Sequence, residues 1–133
     1  MKEELEANII KGIERVDKPK SKTQLLKEAK RFEKLQDKQF AIAVKNRDEN
    51  KCVICGNSDK VNCHHIIPRE NREFRHDLNN GISLCFLHHK FSLEISPHKN
   101  ALAFFLWLEK NRPEQYFYLK SNYDFESNSR RSV

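Results

Sequence analysis

The amino-acid sequence predicts a small α+β domain: two short strands and a helix stapled by a metal ion, with further helices before and after. Three observations predict it. Two pairs of metal-ligand residues, Cys52-x-x-Cys55 and Cys85-x-x-His88, stand about thirty residues apart. Between them lie two short runs of strand character, VNCHHII (61–67) and ISLC (82–85). Apolar residues at helical spacing mark the flanking segments.

The bulk properties fit a domain that needs such a staple. A chain of 133 residues is long enough for one domain and short for two. Only 38% of it is hydrophobic and 33% is charged, so the core must be small and a metal or disulfides would help hold it. The net charge of +6 favours a polyanionic partner, although charge alone does not establish one. No run of about 18 apolar residues exists, so no membrane partner is expected. The opening MKEELEANII mixes acids with bases and has no secretory apolar core. A cytoplasmic location is therefore expected, where the 4 cysteines favour metal over disulfides.

Taken in order, Leu5, Ile9, Ile10, Ile13 and Val16 predict a helix over 3–16. DKPKSK (17–22) breaks it at Pro19, and Ser21 or Thr23 suits the N-cap of a second helix reaching about Arg47. That helix carries Leu25, Ala29, Phe32, Leu35, Phe40, Ala43 and Val44, with dense basic charge elsewhere. It reads as a solvated helix packed by one stripe or as a DNA-facing basic helix. Next, Gly56 and Asn57 signal a turn directly after the first ligand pair. PRENREFRHDLNNG (68–81) reads as a loop between the strands, and FLHHKFSLEI (86–95) as a helix. Ser96 suits an N-cap with Pro97 at the first helical position, ahead of Leu102, Phe104, Phe105, Trp107 and Leu108. Pro113 restarts a last helix with Tyr116, Phe117 and Leu119. The expected organisation is a basic helical arm (1–47), a metal-stapled domain with its C-terminal helices (48–120) and a polar, disordered tail (121–133).

Zinc takes four cysteine or histidine ligands in a tetrahedron, and each x-x pair supplies two from one short turn. Cys52, Cys55, Cys85 and His88 therefore read as a closed structural zinc site. Cys63 is the rival ligand, but it has no x-x partner and reads as a packing residue. Of the other histidines, His64 and His65 are neighbours on a strand and must face apart. His89 follows His88 on one helix and points about 100° away from it. A second, separate divalent-metal site from these residues follows, since imidazole suits several transition metals. His76 and His98 receive no catalytic role.

HHIIPR, NNGISLC and HH, over roughly residues 48–92, resemble the HNH endonucleases in their zinc-stapled form, a ββα-metal, treble-clef-like core. DLNNGISLC is most similar to phage and prophage members, which implies a bacterial or phage-infected cytoplasm. The second zinc pair departs from the pattern, being CxxH where many relatives have CxxC. The resemblance implies that His65 is the general base and that His64 binds the catalytic metal. Asn80 matches the motif's asparagine, with Asn79 the alternative, and could fix the loop or orient His65. His89 matches the final histidine, the second protein ligand of a single divalent ion (Mg2+, Mn2+, Ni2+ or Zn2+). Arg69, Arg72 and Arg75 in the loop read equally as DNA phosphate contacts or as solvated charge. The implied function is a metal-dependent DNA endonuclease or nickase, compatible with a monomer or a homodimer. The rivals are a non-catalytic zinc module that binds nucleic acid and an interaction domain docking through the aromatic segment 101–119.

Overall fold

A computed structural model describes residues 2–3 and 18–125 of the chain. The helix expected over 3–16 and the last part of the tail, 126–133, lie outside the described residues, Glu3 excepted. Among the described residues no helix is long and apolar enough to cross a membrane.

Helix α1 spans Lys22–Arg47. Of the two candidate caps, Ser21 is the one used: its Oγ accepts from the Gln24 N–H at 3.2 Å, and Gln24 Oε1 accepts from the Ser21 N–H at 2.9 Å. This reciprocal pair satisfies two backbone donors that a helix start leaves open. The chain divides into two compact units, Met1–Lys34 and Leu35–Val133, the division falling within α1. The expected apolar stripe changes from exposed to buried along the helix. Leu25, Leu26, Phe32 and Leu35 are exposed, whereas Phe40 and Val44 are buried in the second unit.

In the second unit, strands β1 (Val61–His65) and β2 (Gly81–Cys85) form an antiparallel pair in which His65 faces Gly81 and His64 faces Ile82. The molecule is thus α+β, with a small two-stranded sheet. Helices α2 (Ala101–Asn111) and α3 (Pro113–Asn122) follow, with Pro113 at the start of α3 where its missing N–H costs nothing. Ile66, Phe74, Ile82, Leu84, Phe104, Leu108 and Leu119 form the buried apolar cluster. The other face of the sheet meets α1 so closely that a Cβ at Gly81 would overlap Val44 Cγ2 and stand 2.8 Å from Phe40 Cζ. Arg47 closes the α1 end by donating to the carbonyls of Leu78 and Gly81, each at 2.7 Å. The buried Asp48 carboxylate joins three parts of the unit, accepting from Arg47, from Arg112 at 3.2 Å and from the Ser83 N–H at 3.0 Å.

Two expectations fail between β2 and α2. FLHHKFSLEI is not a continuous helix; it makes one π-type turn, Leu87–Phe91, and Ser92 goes extended (φ −67°, ψ 116°). Ser96 is not the cap of α2. Its side chain is buried and donates to the His89 carbonyl at 2.7 Å, so it ties down a turn. Asn100 caps α2, its Oδ1 accepting from the Ala103 N–H at 3.2 Å.

Candidate metal centres and the strand between them

The first centre gathers Cys52, Cys55, Cys85 and His88, whose ligand atoms all lie within 4.8 Å of one another. His88 Nδ1 is 3.2 Å from Cys85 Sγ and 3.7 Å from Cys52 Sγ, while Cys55 Sγ is 3.8 Å from Cys85 Sγ. The first knuckle forms because Gly56 takes a positive φ of 76° and returns its N–H to the Cys52 carbonyl at 2.8 Å. The Val53 N–H then donates to the Ser83 carbonyl at 3.0 Å, which fixes that knuckle against β2. Burial works against ionising Cys52, but backbone hydrogen bonds around Cys85, Cys55 and Ile54 outweigh it and hold the thiol below its ordinary pKa. Three sulfurs and one imidazole in this closeness suit a structural ion such as zinc. Cys63 stands outside the group, and burial pushes its thiol up to about 11.

A second centre lies on the His64 side of β1. His89 Nε2 is 3.0 Å from His64 Nδ1 and 3.1 Å from His98 Nε2. The three rings present their nitrogens within 4.8 Å of one another. Burial first, then the charges of the neighbouring histidines, lowers His64 to about 3 and His89 to about 4. Both rings are therefore neutral at neutral pH, the state that a metal requires of imidazole. His89 Nε2 has one site, either proton or lone pair, and cannot satisfy both close neighbours by hydrogen bonding. A divalent ion accepting all three lone pairs resolves that conflict, so this donor set fits one. His98 is the residue that sequence reading missed. Ser96 explains its placement, because Ser96 Oγ accepts from the His98 N–H at 3.3 Å while donating to the His89 carbonyl. The only sequence signal was a histidine two residues beyond a serine that has no helix to cap.

His65 turns to the opposite face. Its Nε2 lies 2.9 Å from the Arg75 carbonyl oxygen, and its ring stacks on Phe40 with centroids 4.8 Å apart. A carbonyl only accepts, so Nε2 carries the proton and Nδ1 keeps the lone pair. Nδ1 has no hydrogen-bond partner among the described residues. Burial is the main cause that lowers the His65 pKa. Asn80 is fully buried, and its amide grips the loop on both sides. Oδ1 accepts from the Ile67 N–H at 2.6 Å; Nδ2 donates to the carbonyls of Ile67 at 2.9 Å and Phe74 at 3.1 Å. Of the two roles open to Asn80, this is the loop-fixing one. The group that orients His65 is the Arg75 backbone.

Residues 52–91 match the family model described as HNH endonuclease. This segment is an HNH module. The match contains both candidate metal-ligand pairs, His64, His65, Asn80 and His89; it ends before His98 and begins after α1. No curated protein and no solved structure matches the chain.

The HNH module's small α+β core accords with a ββα-metal fold, the helical part being the short Leu87–Phe91 turn. Of the three loop arginines in the module, Arg75 is not presented to solvent. Its guanidinium grips Asp37 of α1 at 2.9 and 2.7 Å, which removes it as an open phosphate contact. Arg69 and Arg72 are exposed.

Proposed function

We propose that the chain is a metal-dependent DNA endonuclease or nickase, with His65 as general base and one divalent ion held by His64, His89 and His98. The observation that carries this reading is the division of labour on β1. His64 joins two other imidazoles around one point, while His65 beside it is locked in the tautomer with Nδ1 open.

A divalent ion on the three histidines would supply Lewis-acid stabilisation of phosphate oxygens and of the leaving alkoxide. The chain's own part is the proton. His65 Nδ1 takes it from an attacking water, and the resulting imidazolium keeps its Nε2–H on the Arg75 carbonyl. Among the described residues no carboxylate joins the three histidines, so a metal held there would keep positive charge for a phosphodiester. A zinc ion held by the four ligands of the Cys3His centre would act as scaffold and not as catalyst. The basic residues of α1 supply phosphate contacts that position DNA without reading its sequence. The phage-like host and cytoplasmic setting belong to the same reading.

The test is plasmid nicking by wild type and His65→Ala, each stripped of loosely bound metal and supplied with Mg2+, Mn2+, Ni2+ or Zn2+. Metal-dependent nicking lost in the variant, with the Cys3His zinc retained, supports the nuclease. Equal cleavage by both proteins sinks the role of His65. DNA binding without cleavage under every metal would favour the non-catalytic zinc module.

A further inference from the structure

We infer that Asp37, on the helix that precedes the HNH module, is a positioning residue for His65, acting by clamping the loop segment whose carbonyl orients that ring. The inference rests on His65 as the general base. Asp37 Oδ1 accepts from Arg75 Nε at 2.9 Å and Oδ2 from Arg75 Nη2 at 2.7 Å, a two-pronged carboxylate–guanidinium fork. Oδ1 also lies 2.7 Å from His76 Nε2, so one carboxylate holds two consecutive residues of the loop. The backbone oxygen of the first of them is the acceptor for His65 Nε2.

The loop has two anchors, and they hold different stretches. Asn80 grips Ile67 and Phe74. The Arg75–His76 stretch that follows is gripped from α1 by the Asp37 carboxylate. Phe40, three residues after Asp37 and so on the same side of the helix, stacks on His65 and meets the His76 ring edge-on at 6.2 Å. One face of α1 thus fixes both the plane of the His65 ring and the acceptor for its proton. The fork is well sheltered, with the Arg75 side chain 15% exposed and Asp37 28% exposed. The Arg75 guanidinium and then His76 hold the Asp37 carboxyl well below the usual carboxylate range against the effect of burial, so the clamp is ionised. Without Asp37 the Arg75 side chain is drawn toward solvent and phosphate, and its backbone loses the restraint that sets the carbonyl.

The experiment compares full-length, zinc-loaded wild type, Asp37→Ala and the near-isosteric Asp37→Asn in two ways. Steady-state cleavage of a DNA duplex with Mn2+ gives kcat and KM separately, and nitrogen-15 spectra of the histidine rings report the His65 tautomer. The expected result for Asp37→Ala is a fall in kcat of about tenfold to a hundredfold with KM within about twofold, as displaced catalytic groups give. The His65 Nε2–H signal should shift or broaden, and Asp37→Asn should fall between the two. If alanine prevents folding, the asparagine variant carries both measurements. Wild-type kcat with an unchanged His65 signal would overturn the inference, as would a change confined to KM. Should wild type cleave no DNA under any metal, the nuclease reading fails. The ring spectra then decide the clamp alone: an unchanged tautomer overturns it and a changed one supports it.

Discussion

His98 Nε2 stands 3.1 Å from His89 Nε2, although nine residues and a turn separate them in the chain. The contact exists because the buried Ser96 side chain ties the His89 carbonyl and the His98 amide to one oxygen. His98→Ala should weaken Mn2+ or Ni2+ binding at the histidine centre by at least about tenfold, roughly 1.4 kcal/mol. Titration calorimetry on protein whose Cys3His site is already filled measures this. An unchanged affinity would remove His98 from the ligand set.

The pH dependence of cleavage follows from the environment of His65. A general base must be neutral to accept a proton, and burial lowers the His65 pKa from its ordinary value of 6.5. The neutral form therefore predominates at pH 7 and is lost as pH falls through a value below 6.5. Single-turnover rates should be flat above neutrality and decline on the acid side. A half-maximal rate above pH 6.5 that moves in variants of Phe40 or Arg75 would contradict this.

The Cys3His centre should carry the fold. Structural zinc in small domains binds with about 10–16 kcal/mol, as large as the whole stability of a domain this size. Removing it with a strong chelator should unfold the second unit, seen as loss of near-ultraviolet circular dichroism together with one metal equivalent. Cys55→Ser should do the same in part. Cys63→Ala should leave the metal content unchanged, because its sulfur lies outside the ligand group.

Gly81 tests the closeness of α1 to the sheet. A methyl group there meets Val44 and Phe40, both buried side chains with no room to retreat. Gly81→Ala should destabilise the protein by about 1–3 kcal/mol, the usual cost of overpacking, measured as a lower denaturant midpoint. Because Gly81 pairs with His65 across the sheet, cleavage should fall more than stability alone explains.

The parts legible in the sequence are those fixed by short-range spacing. Cys52-x-x-Cys55 and Cys85-x-x-His88 sit on single turns, so their closeness is a local property. The opposition of His64 and His65 follows from strand alternation, and Pro113 marks the start of α3 by its fixed φ. Where backbone choices depended on distant partners, the local signals failed. Ser96 has the residue type and the following proline of a helix cap, but a carbonyl at His89 captures its hydroxyl and the helix starts at Asn100 instead. FLHHKFSLEI has helical spacing, yet the chain makes only one wide turn before Ser92 extends.

The sequence by itself determined the two ligand pairs, the strand that separates His64 from His65 and the α+β class. Only the tertiary structure decided that His98 joins the histidine centre and that Asn80 holds the loop. It also decided that Arg75 turns inward to Asp37, and that α1 braces the sheet through Phe40 and Val44. Each of these is a contact across tens of residues or a turn of irregular backbone. No period of 2 or 3.6 encodes such a contact, because its geometry is set by packing between elements and not within one.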